Sequence, residues 1–431
     1  MIRIFIFFLI SLILVNCSLN ENSKIWGKKK KNIVNKNIEI VFDKKKISYK
    51  ELNPNVNLNL SKVNIKNNIF DKKNNFGMQN YPGELKKIKN FKFSKFNNEN
   101  ESDLAPLFLK NGVVFFDNKG SVIRFDDNQK IVWKKNYYSK FEKKNNPKLS
   151  FALSDKTLVV VDNLSNLFSI NLETGDLIWK NKSDYPFNSE IKTFNDKFFA
   201  IDIKNVLRCY FIKDGSECWN IETEKTLTIT SSKNSLLIGD NIVYFINNLG
   251  DLTAVEISSG DLLWQLPTQS RDIINVTYNF KNSRLVSDSK SIFFSNNKNE
   301  FYSIDLKNGS INWINNISSS LTPILVDNLI ITVSDNGYLF VVDKEKGNII
   351  KIKDIYKIYK DKHRKKIKPI GFSISQDKIY LTNNDGKLII LELKTSNVLK
   401  VEKIAQNILS KPFLYNNNLF IIKNGAVVQY E

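Results

Sequence analysis

A five-residue marker, Gly-polar-x-x-Trp, returns at intervals of 38–49 residues, short alternating apolar runs fill the space between its copies, and Gly- and Asn-rich turn signals separate those runs. Together these predict an all-β chain: an eight-bladed β-propeller of four-stranded antiparallel blades, closed by an N-terminal strand in the last blade. A length of 431 residues exceeds a single ordinary core and suits a repeat array.

The marker reads Gly175-Asp176-Leu177-Ile178-Trp179, Gly215-Ser216-Glu217-Cys218-Trp219, Gly260-Asp261-Leu262-Leu263-Trp264 and Gly309-Ser310-Ile311-Asn312-Trp313. A degenerate copy, Gln129 to Trp133, precedes them. Two copies without Trp follow, Gly347 to Lys351 and Ser396 to Lys400. Five of the six tryptophans occupy this one slot, so Trp133, Trp179, Trp219, Trp264 and Trp313 are expected to be structural. A two-sheet sandwich gives no reason to keep Trp at that interval.

Each unit divides into four strands. In the sixth, Leu321 to Val326 is the first and Leu329 to Val333 the second. Asp335-Asn336-Gly337 turns the chain into Tyr338 to Val342, and Lys346-Gly347 turns it again into Asn348 to Lys353. Gly and Asn supply the positive φ of tight hairpins. Seven such sets run from about Leu104 to Lys403. The remaining strands, Lys411 to Tyr415, Leu419 to Lys423 and Ala426 to Tyr430, lack a fourth, and an open outer edge is an aggregation hazard. Leu85 to Phe91, after a Gly83 that echoes the marker, is expected to supply it.

The first residues predict export. Arg3 opens the chain and Ile4 to Val15 is apolar except for Ser11, the n- and h-regions of a secretory signal. The run ends in Leu14-Val15-Asn16-Cys17, which resembles a bacterial lipobox, although Asn16 stands where Gly, Ala or Ser is usual. Cys17 is therefore the expected lipidation site and mature N-terminus, anchored in the bilayer by acyl chains. Ser18, in place of an Asp that would resemble an inner-membrane retention signal, points to the periplasmic face of the outer membrane. The expected domains are a signal peptide over 1–16, a lipidated and mostly irregular tether over 17–80, and the propeller over 81–431. Ile38 to Phe42 is a candidate short strand within the tether.

Past Cys17 only Cys209 and Cys218 remain. With Asp214-Gly215 as a two-residue turn they become diagonal neighbours, about 7–8 Å apart at Cβ. That exceeds disulfide reach, so free buried thiols are expected unless a bulge closes the gap.

The formal net charge is +20, with Lys and Asn spread through almost every loop. No nucleic-acid motif accompanies the charge, so it reads as a solvated surface and no nucleic-acid partner is expected. The single histidine, His363, sits in Lys362-His363-Arg364-Lys365-Lys366. That is a solvent-facing loop, and one His rules out a His-based triad or zinc site. Asp126-Asp127 reads as turn capping.

The marker, after strands such as Asp251-Leu252-Thr253-Ala254-Val255-Glu256 and Glu300-Phe301-Tyr302-Ser303-Ile304-Asp305, resembles the PQQ-type propeller repeat over residues 84–431. Joined to a lipobox, the array is similar to the BamB-like lipoprotein family of the outer-membrane barrel-assembly machinery. That resemblance implies a non-catalytic scaffold, monomeric within a complex, that binds the POTRA domains of the central barrel subunit. Two family motifs would make the contact. A Leu-x-Leu-Arg motif aligns with Leu227-Thr228-Ile229-Thr230, so Leu227 and Ile229 match and Thr230 replaces the Arg. An ordinary alternating strand accounts for the same pair. An Asp-x-Asp motif falls near Lys281-Asn282-Ser283, where no acidic pair stands, and Arg271-Asp272 is a possible substitute. PQQ-dependent dehydrogenases share the repeat but add a calcium and cofactor pocket and often adjacent cysteines. This chain has no Cys-Cys pair and compact blades, so no catalytic residue, metal or cofactor is expected. The alternatives are a propeller lipoprotein that binds another envelope protein or a glycan, and a degenerate quinoprotein.

Overall fold

The computed structural model describes residues 49–60, 81–93, 104–225, 232–268, 280–406, 410–423 and 425–431. Those from Lys50 onward form one compact unit. Eight four-stranded antiparallel sheets follow one another as the blades of a β-propeller. In chain order, the first seven blades span Leu107–Lys135, Leu149–Lys182, Lys192–Glu222, Leu236–Leu266, Val286–Asn315, Ile324–Asp354 and Pro369–Lys403. Each is an up-and-down meander in which sequence neighbours pair. The first strand of blade three touches those of blades two and four, which puts first strands at the axis. Fourth strands lie at the rim, where Ile131, Leu177, Leu262 and Ile311 are exposed.

The eighth blade is hybrid, as expected. Phe413–Tyr415, Asn418–Lys423 and Ala426–Tyr430 supply three strands, and Lys87–Lys92 pairs antiparallel with the last of them. Phe91 stands opposite Val427, and Lys86 and Glu431 exchange backbone hydrogen bonds at 3.0 and 2.9 Å. The closing strand starts two residues after the expected Leu85, because Leu85 takes a left-handed φ of 66°. Phe108 of blade one packs on Phe413, Tyr415 and Phe420 of blade eight, which closes the ring.

The marker acts between blades. Each Trp lies against the Gly of the following blade, not the Gly of its own copy. A Cβ on Gly175, Gly215, Gly260, Gly309 or Gly347 would come within 2.5–2.7 Å of the indole of Trp133, Trp179, Trp219, Trp264 or Trp313, respectively. Four indole nitrogens also donate across the interface. Trp133 bonds the Leu172 carbonyl at 2.9 Å, Trp179 that of Ile212 at 2.8 Å, Trp219 that of Ile257 at 3.0 Å and Trp313 that of Lys344 at 3.1 Å. Trp264 has no such bond among the described residues, and the corresponding Leu306 carbonyl is taken by the Tyr244 hydroxyl. The two turns that keep a side chain at the Gly position, Gln129 and Ser396, follow blades without a Trp. Ser396 adopts φ 58° and Gln129 φ 67°, conformations that favour Gly, yet no indole crowds them.

The cysteine expectation is corrected: Cys209 and Cys218 form a disulfide, with Cα atoms 5.3 Å apart. The hairpin between the third and fourth strands of blade three carries a β-bulge after Cys209. Cys209 pairs with Trp219 and Tyr210 with Glu217, leaving Cys218 as the extra residue, displaced toward Cys209. The same bulge recurs in blades one, two, four, five, six and seven, where Val132, Ile178, Leu263, Asn312, Ile350 and Leu399 take the place of Cys218.

Residues 50–60, assigned by sequence to the tether, are seated on blades six and seven. Leu52 and Ile352 exchange backbone hydrogen bonds, and the Leu58 N–H donates to the Lys394 carbonyl at 2.9 Å. Leu58 is buried among Val341, Ile389 and Leu391. Lys351 fills the vacant Trp slot. Its buried ammonium donates to the carbonyls of Val56, at 2.9 Å, and Thr395. Burial lowers the Lys351 pKa, and neighbouring Lys353 adds to the effect.

Candidate partner-binding face

Strand direction alternates within each blade, so the turns between second and third strands share one end of the propeller with the connections from each fourth strand to the next blade. Cys17 and all the partner-binding candidates, Leu227, Ile229, Thr230 and Arg271, lie outside the described residues. The residues that bound those connections are described, and both connections start and finish at this end, in the sector of blades three to five. His363 is exposed here, as expected of a solvent-facing loop.

The stems are held by buried amides. Asn248 donates its N–H to the Asn205 Oδ1 at 3.0 Å, and the Asn205 amide donates to the Glu224 carbonyl at 3.0 Å. Thr223 donates through Oγ1 to the Asn205 carbonyl at 2.9 Å and accepts from the Asn247 amide at 3.1 Å. On the far side of that connection the Asn234 amide donates to Asn248 Oδ1 at 3.2 Å. Asn205, Asn234, Asn247 and Asn248 are all buried. The second connection leaves from Thr268, whose carbonyl accepts from the Tyr302 hydroxyl at 2.9 Å, and returns through buried Phe280 beside Gly250. Neighbouring turns are stitched likewise. The Tyr138 hydroxyl reaches Asp162 of the next blade at 2.6 Å, and burial raises the Asp162 carboxyl although it accepts from Tyr138 and Asn166. Asp126 caps its own turn, accepting from the backbone of Asn128 and Lys130 at 2.8 and 2.9 Å.

One charged group joins three blades beneath this face. Glu190 Oε1 accepts from Ser235 Oγ at 2.8 Å and from the Leu236 N–H at 2.9 Å, while Oε2 lies 3.9 Å from Lys192 and 3.7 Å from Arg284. Burial alone would raise its pKa, but the two cations and the two hydrogen bonds win and hold it at about 2. The sequence reading missed this residue, and the available signal was weak. A Ser recurs at the entry to several first strands, as Ser189, Ser235, Ser283 and Ser410. Each accepts a backbone N–H, Ser189 from Ile201 at 2.8 Å, Ser235 from Leu285 at 3.0 Å, and Ser283 and Ser410 from Ser295 and Ile422 at 2.9 Å. Glu190 and Arg284 directly follow two of these serines. No group of three or more His, Cys, Asp or Glu side chains suited to a metal ion occurs among the described residues.

The family model described as outer membrane protein assembly factor BamB matches residues 118–353. An uncharacterised protein of Rickettsia prowazekii is 21% identical over 377 residues, 81% of this chain and 86% of that protein. The outer membrane protein assembly factor BamB of Shewanella oneidensis is 23% identical over 257 residues, 56% of this chain and 60% of that protein. Among solved structures, BamB from Moraxella catarrhalis superposes with a TM-score of 0.66 at 13% identity, covering 81% of this chain and all of that one. A europium-containing methanol dehydrogenase superposes with a TM-score of 0.65 at 9% identity, over 82% of this chain and 88% of that one, a likeness of fold alone.

Proposed function

Since the chain belongs to the family of outer membrane protein assembly factor BamB, we propose that it is a non-catalytic scaffold lipoprotein of the outer-membrane barrel-assembly machinery. It is anchored through Cys17 on the periplasmic face and binds the POTRA-bearing barrel subunit through propeller loops. The observation that carries this reading is the pair of connections after blades three and four. Their stems stand in adjacent blades on one face and are fixed by buried Asn205, Asn234, Asn248 and Thr268. A rigid scaffold under a binding loop lowers the ordering cost of association. The blades themselves use their Trp and Gly residues on one another, which leaves recognition to loops.

Capture of the barrel subunit by the full-length lipoprotein tests the reading. Leu227→Asp with Ile229→Asp should weaken capture while the propeller keeps its thermal unfolding transition. Unchanged capture would place the contact on other residues, and no capture by the native chain would refute the assignment. The non-catalytic part is tested by adding PQQ and calcium to the purified protein in a dye-linked assay, where any turnover above the buffer rate overturns it.

A further inference from the structure

The connection from blade six to blade seven differs from the others on this face. Within residues 357–368 lie six lysines, Lys357, Lys360, Lys362, Lys365, Lys366 and Lys368, beside His363 and Arg364, against one acid, Asp361. All six lysines are exposed. None of them takes part in an ion pair such as Arg364–Asp354 or Lys387–Asp385 among the described residues. Ile358 stands exposed between Lys357 and Lys360, so the loop presents an apolar tip within a basic field.

The loop is a built platform. Its single-turn helix, Asp361–Arg364, is tied down by Arg364, which pairs with Asp354 at 2.6 Å and stacks over the Tyr338 ring at 5.1 Å. Buried Tyr356 and Ile367 pin its two ends, and the Asn384 amide holds the Lys366 carbonyl at 3.0 Å. With the backbone fixed this way, the lysines point outward together.

The tether arrives at the same place. Glu51 accepts from the Asp354 N–H at 3.1 Å, Asn53 reaches Ile350 and Leu58 reaches Lys394. The segment therefore descends from this face toward the opposite one, and its start at Glu51 shares Asp354 with Arg364 of the basic loop. Residues 17–48 carry nine lysines against three acids. An anionic surface attracts basic stretches of either kind.

We propose that loop 357–368 is a docking surface for an anionic phospholipid bilayer, set beside the start of the seated segment at Glu51 so that the propeller rests on the membrane with this edge. The lysines supply the electrostatic attraction and Ile358 the apolar insertion, the two signals that together make reversible membrane contact stable. A tether of some 30 residues spans roughly 100 Å when extended, so it permits many orientations, and the loop selects one. The proposal rests on the lipid-anchored reading above.

The test is lysine acylation footprinting of the full chain in vesicles of phosphatidylethanolamine with phosphatidylglycerol, compared with phosphatidylcholine vesicles. Lys360, Lys362, Lys365 and Lys366 should react at least fivefold more slowly in the anionic vesicles. Lys213, exposed at a turn on the opposite face, is the internal reference, and raising the salt should abolish the difference. Lys362→Gln with Lys365→Gln and Lys366→Gln, which change exposed side chains and leave the backbone bonds in place, should remove the salt-sensitive part. Equal reactivity in both vesicles, with a lipid mass found on Cys17, overturns the docking surface and leaves the anchor standing. Absence of the lipid mass refutes the anchor; the same footprint on anionic vesicles mixed with that unlipidated chain then decides the loop alone. Shielding by the barrel subunit and not by vesicles overturns the proposal in favour of a protein partner.

Discussion

The Lys351 ammonium donates to the Val56 carbonyl at 2.9 Å from the side-chain slot that carries an indole in blades one to five. The substitution of an amine for an indole keeps a bond to the next blade, at the Thr395 carbonyl, and adds a seat for residues 50–60. Leu58 is the apolar part of that seat, and trimming a buried Leu to Ala costs about 2–5 kcal/mol. Leu58→Ala should therefore undock the segment. The amides of Leu52 and Leu58 should exchange with solvent far faster while the core strands keep their protection. Unaltered protection at both amides would show that the seat does not depend on Leu58.

Trp133 and Gly175 form the simplest test of the inter-blade rule. Gly175→Ala places a methyl against the indole, with its backbone at φ 73°, and is expected to cost about 1–3 kcal/mol. Trp133→Ala removes the obstruction and creates a cavity, at about 3–5 kcal/mol. In the double variant the two costs should fall short of their sum by about 0.5–3 kcal/mol, the range of residues in contact. Denaturant unfolding of the four proteins measures this, and strict additivity would refute the contact.

Glu190 makes stability depend on acid. Its folded pKa of about 2 lies below the unfolded value of about 4.3. Its contribution is therefore complete above the unfolded pKa and disappears as pH falls toward 2. Glu190→Gln should destabilise the protein at pH 7 by up to about 3 kcal/mol. Between about pH 5 and 2 the gap between variant and native protein should close. A pH-independent gap would mean that the charge is not what Lys192 and Arg284 hold.

The Cys209–Cys218 bridge closes a loop of sequence separation 9. On the chain-entropy account such a loop adds about 2.5 kcal/mol. Cys209→Ser with Cys218→Ser should lose about that much, and thiol-specific labelling of the denatured, unreduced native chain should leave both cysteines unmodified. Labelling at either position would contradict the bridge.

The fold was legible because a propeller writes its geometry into a period. Each Trp lies against a Gly one blade on, so the marker repeats along the chain. The hybrid last blade was legible by elimination, since Ala426–Tyr430 lacked an outer neighbour. The disulfide was not, because the bulge that displaces Cys218 arises from the hairpin's own backbone and leaves no residue signature; Val132, Ile178 and Leu263 occupy the same position elsewhere. Glu190 escaped because its partners come from three blades and stand 2, 45 and 94 positions away, as Lys192, Ser235 and Arg284. Lys351 was legible as a missing Trp, while its bond to Val56 spans 295 positions and follows only from the docked chain. Leu227 and Ile229 still rest on motif likeness, and Thr230 and Arg271 on their position alone.

The pairing of Lys87–Lys92 with Ala426–Tyr430 also sets an order of events. Of the described strands, the one that seals the ring is synthesised first and its partner last. During synthesis the early strand must wait, its partner still inside the ribosome, while seven blades assemble around a gap. A chain halted anywhere before Ala426 has the first half of the clasp and nothing to fasten it to. A product that lacks the Ala426–Tyr430 strand stays open and exposes strand edges at the gap.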